Sequence, residues 1–545
     1  MADEFDFIVV GAGPAGSVIA SRLANAAANP SVLLVEAGGS NEHTTHMSAT
    51  ERFEVAFREG SPMNWSYKTQ PQWKDQVIDY SRGKGLGGST AINFCAWIFG
   101  AASDYDEWAR LAGDESFAWE RVKERLKRIE KFHNDVPGDF QKWIKPKDED
   151  HGKEGNVDVS YQDKWLDVCS DLFVAAEETG LGVNPDVNSG NPIGMGIGPV
   201  CIHNGIRITS SLAYLQDVPS NLTIMTNTQV EKVLIEGHVA QSIKTIDGHV
   251  FKARKEIVLA AGALNSPQIL LLSGIGSQEH LNQHGISIIK NLPGVGKNLQ
   301  DHCFGVAAIV VKKESGQDFQ QSPTPMGWFK VPSLVKSEEF KELPVDTQKY
   351  LNQADVPNWE FAALTPLFSA TSLEPDEKII SGICLLMNPQ SRGTVTLKST
   401  DPRDAPIIDP MFLTHPYDKR NAIESMREML RYFQAPVWKK KTIGTLGWPK
   451  GGSDEDIWES FSSNVKSSWH MCGTVCMGTG EDACVDSSFK VNGVERLRVA
   501  DMSVCPLVPN NHTQTTAYVI GEIAAEKLIA DHGLSCTDEA RAKDV

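Results

Sequence analysis

One histidine lies between a tryptophan and two cysteines in the stretch SSWHMCGTVCMG, residues 467–478. His470 could act as a base, it could bind a metal together with Cys472 and Cys476, or the two cysteines could form a redox pair. Zinc sites usually show two ligand pairs at fixed spacing, and redox dithiols usually have two residues between their cysteines. Here three residues separate the cysteines, and no second ligand pair accompanies them. We therefore expect no metal site, and we expect two packed thiols beside a working histidine.

A second histidine, His512, lies 42 residues further along the chain in the stretch PNNHTQ. Oxidising an alcohol means removing a hydroxyl proton and a hydride, and the proton needs a base whose pKa is near the working pH. Imidazole meets that need, and a second imidazole can hold and polarise the developing alkoxide. His470 and His512 are therefore the candidate catalytic residues.

A glycine-rich motif, GAGPAG at residues 11–16, follows a short apolar run at residues 6–10. Helical spacing comes next, and then a second apolar run, residues 31–35, which ends at Glu36. A glycine motif between a strand and a helix, with an acidic residue after the second strand, predicts a dinucleotide site. The motif alone does not distinguish NAD from FAD.

Each glycine of this motif has a physical role. Gly11 allows a sharp turn, Gly13 allows the backbone to approach a pyrophosphate, and Gly16 allows close packing of helix on strand. The pyrophosphate would lie on the free N–H groups at the helix N-terminus. Glu36 would accept hydrogen bonds from a ribose.

Further motifs follow in a fixed order. They are YSRGKGLGGSTAIN (residues 80–93), GALNSPQILLLSGIG (262–276), LPGVGKNLQDH (292–302), RLRVAD (496–501) and NHTQTT (511–516). Together they resemble the signatures of the glucose–methanol–choline (GMC) oxidoreductases, which are FAD enzymes. The resemblance extends from about residue 5 to 535 and is weakest at about 310–380.

The resemblance implies FAD as the cofactor and assigns residues to it. Those expected at its ADP half are Pro14, Ala15, Glu36, Ala37 and, through its backbone, Val230. Those expected along the flavin and the ribityl chain are Arg82, Leu86, Gly88, Asn93, Ala500, Asp501, Thr513 and Gln514. Some members attach FAD covalently through a histidine of the first signature, and Ile92 stands at that position here. We therefore expect noncovalent FAD. The family also places a His–His or His–Asn pair about forty residues apart at its catalytic centre, which His470 and His512 match.

The expected fold is α/β, with a Rossmann-like FAD-binding domain and a substrate-binding domain built from an antiparallel sheet and helices. The FAD-binding domain is predicted at residues 1–155, 205–305 and 480–535, and the substrate-binding domain at 156–204 and 306–479. Residues 536–545 read as a tail. The charged stretch 145–154 is predicted to be a surface linker between the two domains.

Composition excludes several other functions. The chain has 545 residues and a formal net charge of −18, which argues against binding of nucleic acid or of an anionic membrane. No apolar run is long enough to span a bilayer, and the N-terminus lacks the pattern of a signal peptide. These features predict an intracellular, cytoplasmic enzyme. The sequence does not indicate the oligomeric state.

The substrate is expected to be a small alcohol held in an apolar pocket. Trp469 lies beside the candidate base, and Trp359 and Phe361 are further candidates for the pocket wall. We find no carboxylate placed to hold a quaternary ammonium, which makes choline a poor candidate. A primary alcohol of aryl, furanic or allylic type fits better, as in aryl-alcohol and hydroxymethylfurfural-type oxidases. The electron acceptor would be O₂ or a quinone-type compound.

An alternative function shares all of these motifs. The same fold hosts lyases and cyclases that retain FAD without redox chemistry. Both classes would carry the two histidines, so the sequence leaves the choice open.

Overall fold

The computed structural model describes residues 3–41, 55–58, 60–161, 165, 167–312, 325–364, 374 and 376–535. The tail expected at residues 536–545 lies outside these ranges. The strands, numbered in chain order, are β1 (Glu4–Val10), β2 (Val32–Val35), β3 (Glu130–His133), β4 (Val157–Ser160), β5 (Gly194–Gly196), β6 (Ile202–His203), β7 (Ile206–Arg207), β8 (Leu222–Met225), β9 (Val230–Glu236), β10 (Val239–Thr245), β11 (Val250–Leu259), β12 (Ile275–Gly276), β13 (Lys290–Asn291), β14 (Cys303–Lys312), β15 (Met326–Phe329), β16 (Trp359–Leu364), β17 (Glu377–Leu386), β18 (Thr394–Thr396), β19 (Ile407–Asp409), β20 (Thr442–Leu446), β21 (Lys466–Ser467) and β22 (Leu497–Val499). The α-helices are α1 (Pro14–Ala24), α2 (Ala102–Ala112), α3 (Trp119–Ile129), α4 (Asp167–Glu178), α5 (Ser210–Tyr214), α6 (Gly262–Leu272), α7 (Gln278–Gln283), α8 (Glu338–Lys341), α9 (Val345–Leu351), α10 (Pro416–Tyr432), α11 (Pro436–Lys439), α12 (Asp454–Ser462) and α13 (Gln514–Asp531).

The larger sheet has seven strands in the order β8-β2-β1-β11-β10-β9, with β22 also paired to β11. Its β8, β2, β1, β11 and β22 run parallel, and β9 and β10 form an antiparallel extension. All four residues of β2 are buried, as expected for a parallel strand that is covered on both faces. Helices α1 and α13 pack against each other beside this sheet. All seven strands come from the three segments predicted for the FAD-binding domain.

The second sheet has six strands in the order β15-β16-β17-β14-β20, with β21 paired to β14. All of its strand pairs are antiparallel. Helix α10 packs against β17 and β16. Successive side chains of a strand point to opposite faces of its sheet, so this helix covers only one set of side chains on β16. The other set is available to the site described below.

The hairpin of β18 and β19 joins the two parts of the molecule. The sequence predicts it within the substrate-binding domain, yet its backbone bonds to residues predicted in the other domain. The N–H of Val395 donates to the carbonyl of Gly296 at 2.7 Å, and the N–H of Gln70 donates to the carbonyl of Ile408 at 2.7 Å. These bonds fix the hairpin against residues predicted in the FAD-binding domain.

The charged stretch 145–154 is mostly exposed, as expected for a surface segment, but it contains one buried histidine. Its His151 is buried, with Nδ1 2.9 Å from Glu130 and Nε2 3.4 Å from Asp186. The ring also stacks on Phe132, with ring centroids 3.8 Å apart. Two carboxylates stabilise the charged form of this histidine, which anchors an otherwise exposed segment at one point.

Candidate active site

The stretch around His470 lies antiparallel to residues 300–302. Backbone hydrogen bonds of 2.9 and 3.0 Å join Cys472 and Gln300 in both directions. The side chain of Asp301 accepts a 2.8 Å bond from the backbone N–H of His470. This pairing places His302, which the sequence analysis did not single out, directly behind His470.

His302 and His470 form a hydrogen bond through their Nδ1 atoms, which lie 3.0 Å apart. One of the two Nδ1 atoms must carry the shared proton. With the proton on His470, its Nε2 presents a lone pair, which is the form that a base requires. Within the described residues, no side chain or backbone group hydrogen-bonds to that Nε2. The bond to His302 is compatible with both tautomers of His470, and the form with the proton on Nδ1 of His470 is the one that can act as a base.

His512 lies two residues before the start of helix α13, and its ring meets that of His470 edge to face. The ring centroids are 5.0 Å apart and the planes are inclined by 70°. On its other side, Nε2 of His512 lies 2.8 Å from Oε1 of Glu360 on strand β16. The structure thus brings together the two histidines that the sequence predicted as a pair.

The pKa values of His470 and His302 are both lowered. Burial lowers the pKa of His470 well below its usual value, and the neighbouring His512 and His302 lower it further. Burial, together with His512, lowers the pKa of His302 to about 3. Both rings are therefore neutral at neutral pH, and His470 has a lone pair for a proton but is a weaker base than an imidazole whose pKa is near the working pH.

Strand β16 decides which aromatic residues face the histidines. Glu360 points towards His512, so its neighbours in the strand point to the opposite face. Phe361 packs on Tyr432 of helix α10, with ring centroids 4.8 Å apart, and Trp359 lies against Phe329 at 5.1 Å. The structure does not bring Trp359 and Phe361 to the site.

Other apolar side chains lie on the face of the second sheet that carries Glu360 and is directed towards His512. Trp328, which pairs with Glu360 across β15 and β16, lies 6.5 Å from the ring of His512. It belongs to a buried cluster formed by Ala96, Ile98, Val187, Phe304, Val306, Met326, Trp328, Ala362, Ile383, Leu385 and Met387. The candidate pocket therefore has an apolar wall, although a different one from that expected.

Glu360 is a buried carboxylate beside the histidines, where we expected none placed to hold a quaternary ammonium. Its side chain is fully buried, its Oε1 contacts His512, and its Oε2 has no hydrogen-bond partner. A single glutamate inside an apolar strand gives no signal in the sequence. Only the pairing of β15, β16 and β17 shows that it faces the histidines.

Trp469 has its backbone in the left-handed region, with φ of 60°. Its indole lies 6.1 Å from the ring of Phe94 and 5.8 Å from that of Phe57. Its carbonyl accepts a 2.6 Å hydrogen bond from the guanidinium of Arg82. Arg82 therefore joins the second glycine-rich stretch to the histidine stretch.

The two glycine-rich stretches touch each other. A Cβ on Gly16 would lie 1.9 Å from the carbonyl oxygen of Gly11, and one on Gly88 would lie 2.8 Å from Cα of Gly13. A Cβ on Gly13 itself would meet nothing within 4 Å. Gly13 is also the N-cap of α1 and makes no side-chain capping bond, which leaves the first N–H groups of the helix available to a phosphate. The open space and the uncapped helix fit a dinucleotide.

Glu36 is buried and accepts three backbone N–H bonds of 2.9 Å, from Ala12, Gly38 and Gly85. Its carboxylate therefore holds both glycine loops together. Burial raises its pKa, and these backbone hydrogen bonds oppose that rise. Its carbonyl accepts a 2.8 Å bond from the N–H of Thr228, two residues before Val230. Pro14 and Ala15 open α1 beside this group, and Ala37 follows Glu36 directly.

Residues predicted to contact the flavin come from the N-terminal and C-terminal parts of the chain, and several of them bond to each other or to the residues around them. Nδ2 of Asn93 donates to Oε1 of Gln514 at 2.9 Å. Asp501 accepts from the N–H of Gly262 at 2.8 Å, and the N–H of Ala500 donates to Leu259 at 2.8 Å. Thr513 precedes α13, and Leu86 accompanies Gly88 in the second glycine-rich stretch. The predicted flavin residues therefore share one region, next to the histidines.

The cysteines near His470 are packed as free thiols. Cys472 is fully buried, and burial raises the pKa of Cys476 to about 12. Cys505 packs beside Cys472, and burial raises its pKa well above the ordinary range. Protonated thiols are poor metal ligands and poor nucleophiles, so this arrangement fits packing.

One group of potential metal ligands lies elsewhere, at His133, Asp158 and His203. The rings of His133 and His203 stack with their planes inclined by 8° and centroids 3.8 Å apart, and His133 bonds to Asp158 at 2.7 Å. Imidazole lone pairs lie in the ring plane, so two parallel rings do not converge on one ion. This geometry fits ring stacking and a histidine–carboxylate hydrogen bond.

Comparison with known proteins agrees with this fold. The N-terminal model of the family described as GMC oxidoreductase matches residues 5–304, and its C-terminal model matches residues 389–521. The alcohol dehydrogenase (acceptor) of Pseudomonas putida is 32% identical over 560 residues, which cover 98% of this chain and 97% of that protein. The oxygen-dependent choline dehydrogenase 1 of Chromohalobacter salexigens is 30% identical, with 97% and 95% of the two chains covered.

Solved structures are similar over the same length. The formate oxidase of Aspergillus oryzae RIB40 superposes with a TM-score of 0.86 at 25% identity, covering 98% of this chain and 99% of that one. A fungal aryl-alcohol oxidase superposes with a TM-score of 0.84 at 23% identity, covering 98% and 100%. The latter likeness concerns the fold alone.

The chain belongs to the GMC oxidoreductase family. It is an FAD-dependent oxidoreductase that acts on CH–OH groups, and the expected two-part α/β architecture is confirmed. No helix among the described residues is both long and apolar enough to cross a membrane.

Proposed function

We propose that this enzyme oxidises a primary alcohol of aryl, furanic or allylic type to the aldehyde, with His470 as the base and His512 as its partner. The observation that carries the proposal is the edge-to-face contact of the two rings at 5.0 Å, beside the apolar wall that includes Trp328. A neutral His470 is ready to accept the hydroxyl proton.

Each residue of the site has a distinct role in the proposed reaction. Nε2 of His470 takes the hydroxyl proton, and the resulting imidazolium donates through Nδ1 to His302. His512, held by Glu360, polarises the developing alkoxide. Bound FAD supplies the acceptor for the hydride. The apolar cluster around Trp328 excludes water and favours a substrate whose carbinol carbon is attached to a flat, unsaturated group.

The FAD is proposed to be noncovalent. Ile92, which occupies the position of the linking histidine in some relatives, is buried in an apolar cluster with Ala56, Met63 and Ala91. It offers no nucleophile. Precipitation of the protein with acid should release all yellow colour into the supernatant, and flavin retained in the pellet would contradict a noncovalent site.

The test of function is anaerobic mixing of the purified holoenzyme with a panel of benzylic, furanic, allylic, aliphatic and quaternary-ammonium alcohols. Bleaching of the flavin absorbance by the first three classes supports the proposal. Absence of bleaching by every member would favour the lyase or cyclase class instead. Aerobic peroxide production then distinguishes O₂ from a quinone-type acceptor.

The histidine assignment is tested in the same assay. His470→Ala should slow flavin reduction by about 10³-fold, because a general base contributes roughly 10²–10⁴. His249→Ala is the matched control, since the His249 side chain is 72% exposed and distant in sequence from the site. Near-wild-type reduction by His470→Ala would refute the base assignment.

A further inference from the structure

Arg207 is a fully buried cation with an unusual set of contacts. Its Nη1 donates to the carbonyls of Thr90 and Asn93, at 3.2 and 2.9 Å, and to Oδ1 of Asn93 at 2.9 Å. Its Nε and Nη2 are buried and have no hydrogen-bond partner. The guanidinium is therefore bound along one edge only.

Among the described residues, no carboxylate forms an ion pair with Arg207. The titratable group near it is the thiol of Cys201, whose pKa is raised by hydrogen bonding with Cys95 and by burial. That thiol is neutral and does not balance the charge. Arginine stays protonated in proteins, and a buried charge without a counter-ion costs several kcal/mol. Such an arrangement calls for an explanation in function.

The amide that Arg207 contacts leads directly to the predicted flavin residues. Oδ1 of Asn93 accepts from Arg207 and from the N–H of Cys95, so Nδ2 must point the other way. There it donates to Gln514, whose own Nε2 donates to the carbonyl of Ala96. Arg207 thus fixes the orientation of both amides.

We propose that Arg207 is an electrostatic positioning residue of the cofactor site, which orients Asn93 and Gln514 and raises the reduction potential of FAD bound beside them. A ring that gains electrons becomes more negative, and a fixed positive charge in a dry interior stabilises that form. This inference rests on the proposed location of FAD but not on the identity of the alcohol.

The experiment is a comparison of midpoint potentials for bound FAD, measured by anaerobic chemical reduction against a reference dye without any alcohol. Arg207→Gln removes the charge but keeps a donor for Asn93, and Arg207→Lys keeps the charge but loses the planar fork. Arg22→Gln is the control, because Arg22 is partly exposed and is already paired with Glu522 at 2.9 Å. Far-UV circular dichroism and the flavin-to-protein ratio verify that each variant is folded and loaded.

Arg207→Gln should lower the midpoint potential, whereas Arg207→Lys and Arg22→Gln should stay near the wild-type value. If Arg207→Gln does not fold, Arg207→Met takes its place as a neutral variant of similar length. A loaded neutral variant with the wild-type potential overturns the proposal. A wild-type protein that binds no flavin contradicts the proposed cofactor site instead. If Arg207→Gln lowers the midpoint potential as expected but the wild-type enzyme oxidises no alcohol, only the proposed reaction is contradicted.

Discussion

Nδ1 of His302 lies 3.0 Å from Nδ1 of His470, so the candidate base is supported from behind by a second neutral imidazole. In many hydrolases a carboxylate occupies the equivalent position and stabilises the imidazolium by its charge. Here the acceptor is uncharged, and burial lowers the pKa of His302 to about 3. His470 is consequently a weaker base than one supported by a carboxylate, and it is unprotonated at neutral pH.

Replacement of His302 should change the pH dependence of catalysis. His302→Leu removes the acceptor for the imidazolium of His470, so we expect kcat/KM to fall by about 10- to 100-fold, as for other residues that orient a reacting group. The pKa of His470 should rise, because His302 is one of the neighbours that lower it, and the acidic limb of the kcat/KM profile should move to higher pH. His302→Asn retains an acceptor oxygen and should recover part of the loss. Equal losses and unshifted profiles in both variants would show that His302 only fills space.

Glu360 should matter through its charge. Glu360→Gln keeps a hydrogen-bonding group beside His512 but removes the buried carboxylate, and we expect kcat/KM to fall by about 10-fold with little change in stability. Trp359→Phe is the control from the same strand, because that side chain faces the opposite side of the sheet. Steady-state kinetics with the best alcohol measures both variants. A loss in the Trp359 variant that matches the loss in Glu360→Gln would contradict the assigned orientation of β16.

Two glycines of the first motif should separate cofactor binding from folding. A Cβ at Gly13 meets only open space, so Gly13→Ala should change the free energy of unfolding of the cofactor-free protein by no more than about 1 kcal/mol. It should still weaken FAD binding at least about 10-fold, because the methyl group enters the space for the phosphates. Gly16→Ala places its Cβ 1.9 Å from a backbone oxygen and should destabilise the fold by about 2 kcal/mol or more.

Chemical denaturation without cofactor, and flavin titration by fluorescence, measure these two effects. Equal destabilisation by both alanine variants would mean that Gly13 is constrained by the fold and not by a ligand.

The buried His151 should make the free energy of unfolding decrease as the pH rises into the alkaline range. Burial lowers the pKa of His151, but the contact with the carboxylate of Asp186 and the hydrogen bond to Glu130 outweigh it and raise the pKa to about 9. A histidine with a raised folded-state pKa contributes stability below the unfolded value of about 6.5, and that contribution is lost as the pH rises through 9. The loss should be on the order of 2–3 kcal/mol between pH 6.5 and 9.5.

Urea denaturation at several pH values measures this dependence. His151→Gln should be less stable at pH 6.5, and its stability should vary less across the same window. An unchanged slope in that variant would assign the pH dependence to other groups.

The local motifs of this site could be predicted from the sequence, because each depends on neighbouring residues. Gly11 and Gly16 are recognisable since a turn and a helix start require them within a few positions. His302 and Glu360 could not be found in this way, because only the pairing of β16 and of residues 300–302 brings them to the histidines. The choice of Trp359 and Phe361 failed for a related reason. Trp359 and Phe361 share one face of β16, and residue type does not show which face of a strand borders the pocket.

Strand β22 completes a sheet that starts at β1, and Gln514 completes the amide pair that starts at Asn93. A ribosome delivers these partners last, after nearly the whole chain has emerged. Until then one edge of β11 is unpaired, and the groove for the cofactor has only one side. We therefore expect a nascent chain to bind FAD only after its C-terminal segment has been synthesised. Until then the unpaired edge of β11 should make the chain prone to aggregation. Truncation before residue 497 should yield insoluble protein, even though most of the glycine-rich groove is still encoded.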